Sequence, residues 1–291
     1  MTVSMLILGL GYAGRAIAEN ALRAGFSVSG TARDPAAARA PHGVTLLSFG
    51  QAAEAVREAT HLVATAAPGA EGDPVLAAYA DAIAAAPRLR WVGYLSTTGV
   101  YGDKGGAWVD EATAPAPGQE RSLRRLAAEK AWEEVLAPRG VALDLFRTAG
   151  IYGPGRNALL DVRAGTARRV IKPGHTFSRI HVEDIARAVV AAALRPDGRR
   201  VLHLADDEPA EGAEVTAEAA RLLGVPVPEG VPFEQALPGM SPMGRSFWAE
   251  DRKISSAGTQ AALGLRWRYP SYREGLAALY QAEHAGEGGL Q

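Results

Sequence analysis

Short apolar runs and longer stretches of helical spacing take turns along the first half of the chain. Met5–Leu8, Ser27–Thr31, Val44–Ser48, His61–Ala66, Trp91–Ser96 and Leu143–Thr148 are brief apolar runs bounded by turn residues and read as strands. Ala13–Ala24, Ala52–Glu58, Val75–Ala85 and Glu120–Leu136 carry helical spacing, with Gly25 and Gly140 where a helix C-terminus or the next turn takes glycine. This alternation predicts an α/β fold, a doubly wound parallel sheet joined by right-handed crossovers.

After Gly153 the units shorten. The pattern predicts a loop over Gly153–Asn157, a strand near Thr176–Ile180, a helix over Glu183–Leu194, a strand at Val201–Leu204 and a helix at Glu214–Leu223. The Pro-rich segment Val225–Met243 reads as an excursion, Tyr272–Glu283 as a closing helix, and Gly286–Gln291 as a frayed end. No internal repeat interrupts the series.

Gly9-Leu10-Gly11-Tyr12-Ala13-Gly14 follows the first strand and opens the first helix, the context a dinucleotide-binding turn requires. Gly9 permits the tight turn, Gly11 lets the backbone approach a pyrophosphate, and Gly14 lets helix pack on strand; Tyr12 and Ala13 supply helix N-terminal amides. At the end of the second strand the order is Thr31-Ala32-Arg33-Asp34. An arginine there suits a ribose 2′-phosphate and favours NADP(H); the alternative is an Asp34 that holds the ribose hydroxyl of NAD(H) beside an ordinary loop arginine.

Composition narrows the picture further. A chain of 291 residues with 47% hydrophobic residues is long enough for a large core. Its net charge of -1, with both signs spread along the chain, offers no argument for nucleic acid or an anionic membrane, so a small-molecule substrate is the expected partner. With no cysteine, disulfides, thiolate catalysis and Cys-based metal sites are excluded, and a cytoplasmic location is expected. No run approaches the roughly 18 apolar residues that span a bilayer, and the apolar N-terminus, without a basic leader, reads as strand rather than signal peptide.

Ala66-Ala67-Pro68, Tyr94–Gly102, Gly150–Arg156, His181-Val182-Glu183-Asp184 and Ala205–Pro209 follow the glycine motif in an order that resembles extended short-chain dehydrogenases/reductases, the NAD(P)-dependent epimerase/dehydratase group. The resemblance covers nearly the whole chain and implies a Rossmann domain over residues 1–155, with part of 176–205 returning to it, and a smaller substrate lobe over 156–291. It implies that Ala66, Ala67 and Pro68 border the cofactor and that Thr97 stands where the family's catalytic Ser or Thr lies. Such a hydroxyl orients a substrate oxygen for hydride transfer; Ser96, Thr97 and Thr98 read equally well as strand-capping residues. The family's Tyr-x-x-x-Lys pair is matched by Arg121 and Arg125, and neither guanidinium exchanges a proton at useful pH. Arg125 is left to stabilise an anion or the nicotinamide ribose, or else to pair with Glu129 on a solvated helix face. Tyr101 and Tyr152 are the alternative sources of a hydroxyl, or packed rings.

By the same resemblance Tyr152, Arg156 and Asn157 belong to the substrate pocket, with loop arginine and helix-capping asparagine as the plainer readings. His181, Glu183 and Asp184 read as a structural turn into a helix, and no metal site is expected. An intact glycine motif with a missing Tyr-x-x-x-Lys resembles the atypical members of the family. The expected function is an NADP(H)-binding, epimerase/dehydratase-like reductase acting on a small hydroxyl- or carbonyl-bearing substrate; the alternative is a non-catalytic NADP(H)-sensing protein.

Overall fold

The computed structural model describes residues 3–285, so the expected fraying of Gly286–Gln291 lies outside the described residues. The first half runs β1 (Ser4–Leu8), α1 (Tyr12–Arg23), β2 (Ser27–Ala32), β3 (Thr45–Ser48), α2 (Ala53–Glu58), β4 (His61–Ala64) and α3 (Pro74–Ala85). It continues through β5 (Trp91–Thr97), β6 (Trp108–Val109), α4 (Glu120–Leu136) and β7 (Ala142–Thr148). Then come β8 (Gly150–Tyr152), α5 (Ala158–Arg163), β9 (Arg169–Ile171), β10 (Arg179–His181), α6 (Val182–Ala193), β11 (Arg199–Leu204) and α7 (Gly212–Leu223). The chain closes with β12 (Gly230–Pro232), α8 (Phe233–Ala236), α9 (Pro242–Trp248), β13 (Lys253–Ile254), α10 (Ala257–Leu263) and α11 (Tyr272–Ala285).

A seven-stranded sheet in the order β11-β7-β5-β4-β1-β2-β3 forms the centre, and every pairing in it is parallel. Both faces are covered, which is why its strands read as continuous apolar runs rather than alternating ones. In β1, Met5 and Ile7 pack with Ile17 of α1 and Ile185 and Val189 of α6. Leu6 and Leu8 point the other way, toward Val56 of α2, Ile83 of α3 and Trp132 of α4. Strand order reverses between β1 and β4, and the carboxyl ends of that pair open the crevice where such sheets place ligands.

Three two-stranded pairs, β8–β10, β9–β12 and β6–β13, build the walls around that crevice. A separate apolar cluster joins Tyr152, Leu159 of α5, Val215 and Ala219 of α7, and Tyr272 and Leu276 of α11. β11 and α6 return to the central sheet, β11 as its edge strand and α6 packed on the same face as α1. Three expected strands differ in extent by two residues or more, and of these β11 begins at Arg199 rather than Val201. β4 ends at Ala64: the Thr65 amide makes the last bond to β1, at the Leu8 carbonyl, and beyond it Gly9 turns the partner backbone away at φ +111°. β10 begins at Arg179 rather than Thr176, since Phe177 exchanges backbone hydrogen bonds with Ala210 instead. The Pro-rich excursion contains β12, α8 and the start of α9.

Candidate active-site cleft

The glycine turn sits at the reversal point. Gly9 has φ +111°, and a Cβ there would meet Thr65 Oγ1 at 2.5 Å. A Cβ on Gly14 would run into the Gly9 carbonyl oxygen, so strand and helix touch backbone to backbone. Gly11 differs from both: its φ is -80° and a Cβ would meet nothing within 4 Å. Intramolecular packing therefore explains Gly9 and Gly14 but leaves open space above Gly11. No side chain caps α1 and no acid occupies its first turn, which leaves donor amides and the positive helix end facing that space. The Tyr12 hydroxyl donates to the Pro154 carbonyl at 3.0 Å and ties the turn to the Gly153–Arg156 loop.

Arg33 is exposed just beyond β2. Its neighbour Asp34 is engaged locally: Oδ1 accepts from the amides of Ala36 and Ala37 at 3.0 and 3.4 Å. That turn engages Oδ1 only, and Oδ2 has no hydrogen-bond partner among the described residues.

A cleft of about 630 Å³ opens at the carboxyl ends of β5 and β7 and is walled by β8, β10 and the segment around α9. Of the residues singled out in the sequence, Ala67, Pro68, Thr97, Arg125, Tyr152 and Arg156 line it; the glycine turn and Arg33 do not. Thr97 Oγ1 accepts from the Gly99 amide at 3.1 Å, so its proton remains available to a ligand oxygen. Arg125 is anchored through Nη1, which donates to the Leu95 carbonyl at 2.8 Å, the Tyr94 hydroxyl at 3.2 Å and the Ala66 carbonyl at 3.5 Å. Arg121 also lines the cleft, its guanidinium 4.5 Å from the Phe247 ring centroid, and so does not belong to a purely solvated helix face.

Three expectations are corrected by the packing. Arg125 does not pair with Glu129; the latter is buried and takes Arg147 on both carboxylate oxygens, at 3.2 and 2.8 Å. Tyr101 is sealed beneath the cleft, its hydroxyl held by Arg147 at 2.8 Å and His203 at 2.5 Å, and does not reach a substrate. Asn157 is a helix cap: its Oδ1 accepts from the Leu160 amide and its Nδ2 donates to the Gly153 carbonyl, and the buried side chain does not line the cleft. Tyr152 does line the cleft, but its hydroxyl donates to the Ser271 carbonyl and burial drives its pKa upward, the reverse of what an acid–base tyrosine needs. His181 caps α6 through Nδ1 and the Glu183 amide, as a structural turn would.

No family model matches the chain. A 3-diazoavenalumate denitrifying reductase of a Streptomyces species is 31% identical over 238 residues, which cover 79% of this chain and 72% of that protein. This chain belongs to the extended short-chain dehydrogenases/reductases, the epimerase/dehydratase group. A functionally unknown conserved protein from Silicibacter pomeroyi superposes with a TM-score of 0.87 at 42% identity over 97% of this chain and 99% of its own. The fold is also that of a dTDP-glucose 4,6-dehydratase from Bacillus anthracis solved in complex with NAD, with a TM-score of 0.76 at 16% identity, covering 99% and 98% of the two chains.

Sequence reasoning missed several residues that this member of the family brings to the site. Ser96, read from sequence only as a strand-capping residue, lines the cleft and donates to the buried Glu129, linking the cleft floor to Arg147. Arg179, Glu250 and Arg252 reach the cleft from β10 and from the segment after α9. Glu250 and Arg252 pair at 2.7 Å, and Arg252 also donates to the Gly102 carbonyl at 2.9 Å. A contact spanning some 150 positions leaves no periodic trace in sequence, and only the charge of each residue hinted at a partner.

Proposed function

We propose that this protein binds NADP(H) at the β1–α1 turn and acts as an epimerase/dehydratase-like reductase on a small hydroxyl- or carbonyl-bearing substrate seated in the cleft. The observation that carries the reading is the empty space over Gly11, faced by an uncapped helix N-terminus: a cradle that a Cβ would fill and a pyrophosphate suits. Exposed Arg33, with Asp34 engaged in its own turn, supports the phosphorylated cofactor. When bound, the nicotinamide supplies or accepts the hydride.

The chain's own residues orient and stabilise. Thr97 donates its free hydroxyl proton to the substrate oxygen, and Arg125, fixed by its backbone anchors, offers positive charge where negative charge develops. In this reading residues 1–155 with part of 176–205 hold the cofactor, the rest of 156–291 shapes the substrate pocket, and the protein is cytoplasmic. The non-catalytic alternative, an NADP(H) sensor, draws support from the arginines at the Tyr and Lys positions. Turnover on a carbonyl and alcohol panel, reduced by Thr97→Ala, decides against it.

Fluorescence titration with NADPH and NADH, on wild type and Arg33→Ala, tests the cofactor. The expected result is tighter binding of NADPH, weakened at least about tenfold in the variant, with NADH binding little changed, since a charge-assisted bond contributes roughly 1.5–3 kcal/mol. Equal affinities in both proteins would remove Arg33 from the site, and binding of neither cofactor would remove the reading itself.

A further inference from the structure

The cleft is strongly one-sided in charge. Its charged lining residues are Arg121, Arg125, Arg156, Arg179 and Arg252 against Glu250 alone, in a chain whose overall charge is -1. Glu250 neutralises Arg252, and Arg179 has the buried Asp206 behind it, which leaves Arg121, Arg125 and Arg156 without an ion-pair partner among the described residues.

The guanidiniums share a second feature. Arg121 is held by Met243 Sδ, Arg125 by the carbonyls and phenol of the strand ends, Arg179 by the carbonyls of Phe177 and Ala210, and Arg252 by Gly102 and Glu250. Every one of those bonds uses Nη1. The Nε–Nη2 edge of each has no hydrogen-bond partner among the described residues, and none of these nitrogens is both buried and unsatisfied. Such an edge presents two parallel N–H donors at the spacing of two oxygens of a carboxylate or phosphate.

Several of the neutral hydroxyls in the cleft are already engaged inside the protein. The hydroxyls of Ser96, Thr148, Ser246 and Tyr152 all donate into the protein, to Glu129, Phe146, Met243 and Ser271. The rest of the wall mixes the apolar side chains Phe177, Phe247, Ile151 and Ile254 with the hydroxyls of Thr97, Thr98, Ser122, Thr176 and Ser178. The same volume must also admit the nicotinamide end of a cofactor, which leaves space for a small molecule.

We propose that the substrate is a small organic anion, a carboxylate or phosphate ester with an apolar body, gripped by the Nε–Nη2 edges of the cleft arginines, with Arg121 and Arg156 as its specificity-determining residues. This rests on the cleft being the substrate site of the nicotinamide enzyme described above. The cofactor's own phosphates are not the anion in question, because neither the glycine turn nor Arg33 lines this cleft.

The test is calorimetric titration of the intact protein, with NADP+ present, using benzoate, phenyl phosphate, benzamide and UDP-glucose as probes. Arg121→Gln, Arg156→Gln and, as a control, Arg124→Gln are titrated alongside; Arg124 pairs with Glu120 outside the cleft. The expected result is that benzoate or phenyl phosphate binds at least tenfold tighter than neutral benzamide, that the preference falls about tenfold in Arg121→Gln or Arg156→Gln, and that Arg124→Gln keeps it. Benzoate against phenyl phosphate tells which oxyanion is preferred. Benzamide binding as well as benzoate, or a preference indifferent to both cleft variants, overturns the inference, and UDP-glucose binding tenfold tighter than either aryl anion overturns the small substrate. NADPH fluorescence in the same samples separates the two readings: cofactor binding without anion preference sinks only this one, and anion preference without cofactor binding sinks the cofactor assignment.

Discussion

Beneath Thr97 runs a chain of buried polar groups that no ligand needs to touch. Ser96 donates to Glu129, Glu129 holds Arg147, Arg147 donates to Tyr101, and the Tyr101 hydroxyl meets His203 Nε2, whose Nδ1 faces the Ser255 carbonyl. The Arg147–Glu129 pair is almost wholly enclosed, with side chains 4% and 2% exposed. A buried ion pair adds little over well-packed apolar residues, but removing one partner strands a charge. Glu129→Gln is therefore expected to lower stability by about 3–5 kcal/mol in urea unfolding, with Glu129→Leu combined with Arg147→Met recovering much of that loss. A loss below about 1 kcal/mol would mean that the pair does not anchor the cleft floor. Glu129 was misread from sequence because Arg125 lies at i-4 on its own helix, whereas its true partner, Arg147, is 18 residues ahead on the neighbouring strand.

At the scale of elements, the β1–turn–α1 unit separates folding from binding residue by residue. Gly11→Ala adds a methyl to open space at an ordinary φ, so stability should stay within about 0.5 kcal/mol of wild type while NADPH affinity collapses. Gly14→Ala forces a methyl into the Gly9 carbonyl and should destabilise by roughly 1–3 kcal/mol, whatever its effect on the cofactor. Thermal melts with and without NADPH check both, and a Gly11→Ala protein that binds normally would deny the turn its proposed ligand. This unit was legible in the sequence because it is local: strand, glycines and helix lie within a few positions of one another. Arg179, Glu250 and Arg252 were not, because they enter through β10 and the α9 segment, short elements whose length is too small for any periodicity. The apolar runs likewise announced the sheet's strands but not β6, β8 or β13, two or three residues each, which exist only through their partners.

For the molecule as a whole, burial of histidine sets the response to acid. His61, His175, His181 and His203 are all buried, and desolvation lowers the pKa of each below the ordinary 6.5. The folded protein keeps them neutral at pH values where the unfolded chain has begun to protonate them. As pH falls below about 6.5, the unfolded state therefore binds more protons and stability drops, by at most about 1.4 kcal/mol per pH unit for each histidine fully affected. Asp206 works in the opposite sense, because burial raises its carboxyl pKa and the folded state takes up its proton first. One such carboxyl offsets a single proton, against as many as four on the histidines. The lowered carboxylates Asp103, Asp110, Glu218 and Glu274 stay ionised in both states until near pH 4.5 and do not contribute in this window. The urea midpoint is thus expected to fall between pH 7.5 and pH 5.5, with His203→Gln flattening the slope, since this fully buried ring then no longer separates the proton uptake of the two states. A midpoint that rises on acidification would show that Asp206, not the histidines, governs the balance.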